Sequence, residues 1–203
     1  MPGKETPMDK QPIEQSALLV IDAQDSFKLG PRWERRSNPR FEANVAALMH
    51  AWRVADLPVI FIIHHDDSPG FRPADPQARL MSFIDRHESE PLLFKNTRNS
   101  FTSTDLQQRL EILGVRRLVI TGIQTEQCCE TTARLAADLG YDVDFVTEAT
   151  LSFPILNQEN GEVLGTDEII HRTEFVLRGR FARIVRVADL TAELEGALTS
   201  VAR

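Results

Sequence analysis

Short, nearly unbroken apolar runs alternate along this chain with segments of helical period. Residues 16–24 (SALLVIDAQ), 58–65 (PVIFIIHH), 91–96 (PLLFKN), 116–123 (RRLVITGI), 141–149 (YDVDFVTEA) and 182–187 (ARIVRV) are the apolar runs. Their near-continuity is that of strands buried on both faces, since a strand with one wet face would alternate. Between the first two, residues 38–57 place Phe41, Val45, Leu48, Trp52 and Leu57 at helical spacing. Further helices are expected over 103–115, opened by Ser103 or Thr104 and closed by Gly114, and over 126–139, ended by Gly140. Residues 166–179 and 188–198 complete the helical set. Doubly buried strands alternating with helices specify an α/β fold: a three-layer α/β/α, Rossmann-like architecture around a six-stranded parallel sheet. Residues 1–15 (MPGKETPMDKQPIEQ) are polar and lack the apolar core of a secretory signal. They are expected to be a flexible leader to one domain over 16–203.

Composition narrows the partners. The 203 residues are 42% hydrophobic and 26% charged, as in ordinary globular domains. A formal net charge of −7 argues against nucleic acid or an anionic membrane as partner, and no apolar run reaches membrane-spanning length. The two cysteines, Cys128 and Cys129, are adjacent. Neighbours cannot readily satisfy disulfide geometry, so a reducing, cytoplasmic setting is expected.

In a parallel sheet of this kind a ligand sits beyond the carboxyl ends of the strands. Asp22 closes the first apolar run, Lys95 the third, and the loop from Gly122 to Cys128 follows the fourth, so an acid, a base and a thiol fall on one rim. Singly, each has an ordinary structural reading: a turn residue, an edge lysine, a small core side chain. Together they permit nucleophilic catalysis. Lys95 and the helix N-terminus would favour a Cys128 thiolate, Asp22 would shuttle a proton, and amides of the turn would hold an oxyanion. The spacing of Cys128 and Arg134 also fits the C-x5-R pattern of cysteine phosphatases. The intervening residues contain no glycine and include Glu130, so a phosphate-wrapping loop is not expected.

The segments LLVIDAQDSF (18–27), KNTRNSFTSTDL (95–106) and ITGIQTEQCCETTARLAADLGYDV (120–143) resemble, in order, the motifs of the isochorismatase-like cysteine hydrolases, which include nicotinamidases and N-carbamoylsarcosine amidases. The resemblance runs from about residue 16 to the last apolar run. It implies Cys128 as nucleophile, Asp22 as acid/base and Lys95 as the third member of the triad. It also implies a cis peptide between Ile123 and Gln124, an oxyanion hole from the amides of Gln124 and Cys128, and assembly as a homodimer or homotetramer. Cys129 falls where relatives carry an aliphatic residue. Nicotinamidases add an Asp-x-His metal site after the first strand, whereas only His50 lies between Asp22 and the second strand here. The cluster His64, His65, Asp66 and Asp67 reads as a strand end entering a polar turn. No metal or other cofactor is expected.

The implied activity is cysteine-dependent hydrolysis of a small amide, ureide or carbamoyl compound through a thioester. The alternatives are a hydrolase of the same family acting on a non-amide, or a member without activity that serves as a scaffold. Residues 26–40 are expected to line or lid the pocket, as the resemblance implies. Within and beside them Gln24 could orient a substrate amide, Phe27 and Trp33 could stack on a flat group, and Arg35 or Arg36 could meet a carboxylate. Helical spacing puts Cys128 in phase with Thr132, Leu135, Ala136 and Leu139, and turns Cys129 toward Ala133.

Overall fold

The computed structural model describes residues 10–201. Strands β1 (Ser16–Ile21), β2 (Val59–His64), β3 (Leu92–Lys95), β4 (Arg117–Ile123) and β5 (Asp142–Leu151) follow the first five apolar runs. A small hairpin, β6 (Ile155–Leu156) and β7 (Val163–Leu164), precedes β8 (Arg183–Ile184). Five α-helices are interspersed: α1 (Phe41–Val54), α2 (Leu106–Ile112), α3 (Glu130–Asp138), α4 (Thr166–Leu177) and α5 (Val187–Val201). Six strands form one parallel sheet in the order β3-β2-β1-β4-β5-β8.

Every residue of β1 is buried, and its side chains divide between two cores. Leu18 and Val20 pack with Phe41, Val45, Leu48 and Trp52 of α1 and Leu190 and Leu194 of α5. Ala17, Leu19 and Ile21 pack with Leu106 and Leu110 of α2, Ala133 and Ala136 of α3, and Leu177 of α4. This is the period-2 alternation of a strand, with both faces covered. Complete burial of each such Leu, Ile or Val contributes about 1.5–3 kcal/mol.

The departures from the sequence reading have local causes. Helix α2 is shorter than 103–115, because Thr104 accepts the Leu106 amide at 3.1 Å and donates to Ser100 O at 2.6 Å, holding a turn ahead of the helix. Strand β5 runs two residues past 149 because, beyond an irregularity, Thr150 and Leu151 pair with Gly122 and Ile123. The hairpin lies between the fifth apolar run and the helix expected over 166–179, where the sequence reading names no element. Of the leader, residues 1–9 lie outside the described residues. Residues 10–15 are packed rather than loose: Ile13 is buried in the core, and the Gln11 amide donates to Asp142 Oδ2 at 2.8 Å.

At the amino ends of the strands, Arg117 is fully buried and binds Asp144 at 2.6 Å and Glu193 of α5 at 2.7 Å. Arg183 reaches the other Asp144 oxygen at 2.8 Å. This network joins β4, β5, β8 and α5 at the end opposite the Asp22 rim. No helix among the described residues is long and apolar enough to cross a membrane.

Candidate active site

The sheet order reverses at β1, whose neighbours are β2 on one side and β4 on the other. Such a switch point opens a crevice beyond the strand ends. Asp22 follows β1 directly and turns the chain with φ 51, a left-handed conformation that Asp tolerates better than most residues. Opposite it in β4, Gly122 has φ 126, and a Cβ there would stand 1.9 Å from Ile21 O. Glycine is therefore required for β4 to lie this close to the end of β1. The Ile123–Gln124 peptide that follows is cis.

The expected helix over 126–139 divides in two. Thr125–Cys129 form a π-helical turn and only Glu130–Asp138 are α-helical. The extra residue per turn shifts the phase, and π-turns of this kind are frequent at functional sites. Cys129, Thr132, Ala133 and Ala136 form the buried stripe, while Leu139, expected inside with Cys128, is 40% exposed. Cys128 lies ahead of this stripe, at the rim, and Cys129 is wholly enclosed.

Asp22, Lys95 and Cys128 converge. Lys95 Nζ stands 2.8 Å from Asp22 Oδ2, with neither side chain exposed. It also donates to Cys128 Sγ at 3.2 Å and to Thr97 O at 3.2 Å. The Asp22–Lys95 contact is an ion pair without hydrogen-bond alignment, and both Asp22 oxygens are buried with no hydrogen-bond partner. A carboxylate left without a hydrogen-bond partner beside the thiol is placed to accept its proton.

The thiol is not poised as a thiolate. Burial, followed by the Asp22 charge, pushes Cys128 up to about 12, and the opposing Lys95 charge is the weaker influence. Lys95 lowers the thiol, as expected, but the exclusion of water and the facing acid outweigh it and the net shift is upward. Cys129 is pushed well above its ordinary value, again by burial first.

His64, at the end of β2, belongs to the same cluster. Its Nδ1 lies 3.3 Å from Lys95 Nζ, and its Nε2 lies 3.1 Å from both Asp66 Oδ2 and Arg98 Nη1. Burial and the Lys95 charge lower its pKa, so the neutral ring accepts from Lys95 and donates to Asp66. Its place at a strand end on the same rim was a signal available in the sequence, where the HHDD stretch reads as an ordinary turn. Among the described residues, no three His, Cys, Asp or Glu side chains are grouped to hold a metal.

The other site residues named from the sequence divide. Gln24 is fully buried: its Nε2 donates to Ser26 Oγ at 2.8 Å and His64 O at 3.1 Å, and its Oε1 accepts the His64 amide at 2.8 Å. Its side chain therefore clamps β2 and does not orient a substrate. Phe27 is enclosed by Phe71, at 5.2 Å edge-on, and Phe153, stacked at 6.1 Å, so it builds a wall and offers no free stacking face. Trp33 leans on Phe153 at 6.3 Å and stays partly exposed. Arg36 donates to Trp33 O at 3.1 Å and covers the Trp33 ring, whereas Arg35 is exposed. Gln124 caps the π-turn Thr125–Cys129 at its start, and Cys128 lies within it. Glu126 in that turn accepts from Ser152 Oγ at 2.7 Å, and burial raises its carboxyl pKa. Phe71, Ser152 and Phe153 come from distant segments with no motif to mark them.

Residues 16–163 match the isochorismatase domain. The chain belongs to the isochorismatase family. It is 30% identical over 149 residues to the uncharacterised isochorismatase family protein YrdC of Bacillus subtilis, covering 72% of this chain and 79% of that one. Nicotinamidase 3 of Arabidopsis thaliana is 32% identical over 153 residues, 68% of this chain and 74% of its own. Among solved structures, a putative isochorismatase-family hydrolase from Chromobacterium violaceum superposes with a TM-score of 0.85 at 28% identity, covering 95% of this chain and 99% of that one. The protein is thus an isochorismatase-family hydrolase.

Proposed function

We propose that this hydrolase cleaves a C–N bond of a small amide, ureide or carbamoyl compound through a thioester on Cys128. The observation that carries this reading is the meeting of a buried acid, lysine and thiol: 2.8 Å from Lys95 to Asp22 and 3.2 Å from Lys95 to Cys128. Similarity to a nicotinamidase supports an amide as substrate.

Because the resting thiol is neutral, attack is coupled to proton transfer. Asp22 takes the Cys128 proton as Sγ bonds to the carbonyl carbon. Lys95 balances the charge passing between oxygen and sulfur. The developing oxyanion lies against the amides of Gln124 and Cys128. Collapse breaks the C–N bond, and Asp22 gives its proton to the departing nitrogen. Asp22 then takes a proton from a water that attacks the thioester, and returns it to the sulfur as the acid product leaves. No step needs a cofactor.

The family resemblance and the exposed apolar residues Ile155, Leu156, Val163 and Leu164 of the hairpin support assembly as a homodimer or homotetramer. Light scattering that gives the 22.9 kDa monomer mass at micromolar concentration overturns that part. The catalytic reading is tested by an ammonia-release screen over small amides, ureides and carbamoyl compounds. It expects turnover that Cys128→Ala abolishes; if no member releases ammonia or amine, C–N hydrolysis is wrong.

A further inference from the structure

A lysine ammonium has three N–H bonds to give, and that of Lys95 has four groups around it. Three of them are aligned to accept: Cys128 Sγ at 3.2 Å, Thr97 O at 3.2 Å and His64 Nδ1 at 3.3 Å. The fourth, Asp22 Oδ2, is nearer than any of these at 2.8 Å, yet it lies out of line, and neither Asp22 oxygen has a hydrogen-bond partner. The ammonium thus directs its donors elsewhere and meets the carboxylate as a charge alone. Cys128 is the nucleophile, and Thr97 O belongs to the loop that follows β3. His64 is the one acceptor that the proposed reaction does not use.

The ring is fixed in place from several sides. Gln24 clamps the His64 backbone, its Oε1 accepting the amide at 2.8 Å and its Nε2 donating to the carbonyl at 3.1 Å. Phe71 packs edge-on against the imidazole at 6.2 Å. Asp66 Oδ2 lies 3.1 Å from Nε2, and the same carboxylate is itself held by the Ser68 amide, which donates to Oδ1 at 2.8 Å. A carboxylate at Nε2 sets the ring proton there and leaves the Nδ1 lone pair facing Lys95. The charged groups around the ring are Lys95 of β3, Arg98 of the loop after it (Nη1 at 3.1 Å from Nε2), Asp22 at the end of β1, and Asp66 of its own turn. Burial, then Lys95, prevail over the two acids and hold the ring pKa down. Only the neutral ring can accept, since a second proton would set an N–H against the ammonium.

We infer that His64 is a positioning residue: by accepting one Lys95 N–H it keeps that bond from turning onto Asp22, and so leaves the carboxylate free of hydrogen bonds to take the Cys128 proton. With an apolar group in place of the imidazole, the freed N–H would swing to the nearest acceptor, which is Asp22. A hydrogen bond between an ammonium and a carboxylate is roughly twice as strong as a neutral one, and a carboxylate so bound is a weaker base. The ammonium would also tilt away from the sulfur, whose ionisation it favours. His64 acts through Lys95 rather than on the substrate. Its effect on turnover rests on the thioester reading, whereas its effect on the thiol does not.

Iodoacetamide alkylation of Cys128 against pH, in a Cys129→Val background, tests this without a substrate. His64→Leu should move the profile to higher pH. His64→Asn, whose Oδ1 replaces Nδ1 as acceptor, should recover most of that shift. In a Lys95→Met background His64→Leu should move nothing, the non-additivity expected of a residue that acts through another. On any compound that the ammonia-release screen finds to be cleaved, His64→Leu should lower kcat about 10- to 100-fold, the range for one hydrogen bond to a charged group, with KM little changed. Nitrogen NMR of isotope-labelled histidine in the unsubstituted enzyme, with the His64 signals assigned by their loss in His64→Asn, should show a neutral ring at neutral pH with its proton on Nε2. A proton on Nδ1, or a charged ring, overturns the inference by itself, so the test does not depend on His64→Leu folding. An alkylation profile indifferent to His64→Leu, or a shift that survives Lys95→Met or that Asn does not relieve, leaves His64 a packing residue and overturns the inference, whatever the screen finds. The shift and its rescue, with no amine released from any compound, leave the hold of His64 on Lys95 standing and overturn the amidase reading.

Discussion

Asp22 and Lys95 meet at 2.8 Å with both side chains sealed from solvent, and the same ammonium donates to Cys128 Sγ at 3.2 Å. The pair acts on the sulfur in opposite senses: the Asp22 charge raises the thiol pKa and the Lys95 charge lowers it. Alkylation by iodoacetamide, followed against pH in a Cys129→Val background, should therefore respond oppositely to the two substitutions. Asp22→Asn should move the profile to lower pH even as turnover falls about 10²–10⁴-fold for want of a proton shuttle. Lys95→Met should move it to higher pH. A profile that Asp22→Asn moves upward, or leaves in place, would mean that the carboxylate does not face the sulfur.

The opposite end of the sheet governs acid stability. Glu193, bound to buried Arg117 and to Lys10, is lowered from an ordinary 4.5 to about 2, its two cations outweighing the effect of burial. A depressed carboxylate contributes stability that is present above its unfolded value and lost as pH falls toward the folded one. The melting temperature should thus fall between about pH 4.5 and pH 2 with a component that Glu193→Gln removes, the variant being already less stable at pH 7. Parallel curves for the two proteins across that window would show that the ion pair carries no linkage.

Turnover should survive chelation. His64, the histidine that contacts Lys95, has Nδ1 at 3.3 Å from Lys95 Nζ and Nε2 at 3.1 Å from Asp66, so both nitrogens are engaged, and Asp22 is ion-paired. Dialysis against EDTA followed by assay decides this. Activity lost and then restored by a divalent transition metal would place a metal where these contacts are.

How far the sequence carries depends on whether a residue acts where its own strand delivers it. Asp22 and Lys95 were legible because each ends an apolar run, and in a parallel α/β sheet all such ends share a rim. Gln24 stands in the same stretch and misled, because its partners are backbone atoms of His64, 40 residues away. Trp33 and Phe153 meet across more than a hundred residues with no pattern linking them. The π-turn at Thr125–Cys129 escaped a reading that assumes 3.6 residues per turn, and Leu139, expected to continue the stripe of Thr132 and Ala136, is instead the exposed C-cap of α3. The direction of the Cys128 shift was out of reach for a different reason. Proximity to Lys95 could be foreseen, but the burial that outweighs it is a property of the packed chain.

The two adjacent thiols should differ in function absolutely. Cys128 is 5% exposed, at the rim, and receives a hydrogen bond from Lys95. Cys129 is 0% exposed and packs with Ala133 and Ala136 beneath β1 and β4, where a thiol behaves as a small apolar group. The π-turn separates them more sharply than helical phase alone would, since Cys129 begins the buried stripe and Cys128 precedes it. Cys129→Ala and Cys129→Val should keep turnover, each costing no more than about 1–3 kcal/mol of stability for the change in volume. Cys128→Ala should fold and turn over nothing. Mass spectrometry of enzyme quenched during turnover should locate the acyl adduct on residue 128. An adduct on Cys129, or an inactive Cys129→Val beside an active Cys128→Ala, would assign the chemistry to the wrong sulfur here and displace the whole mechanism by one residue.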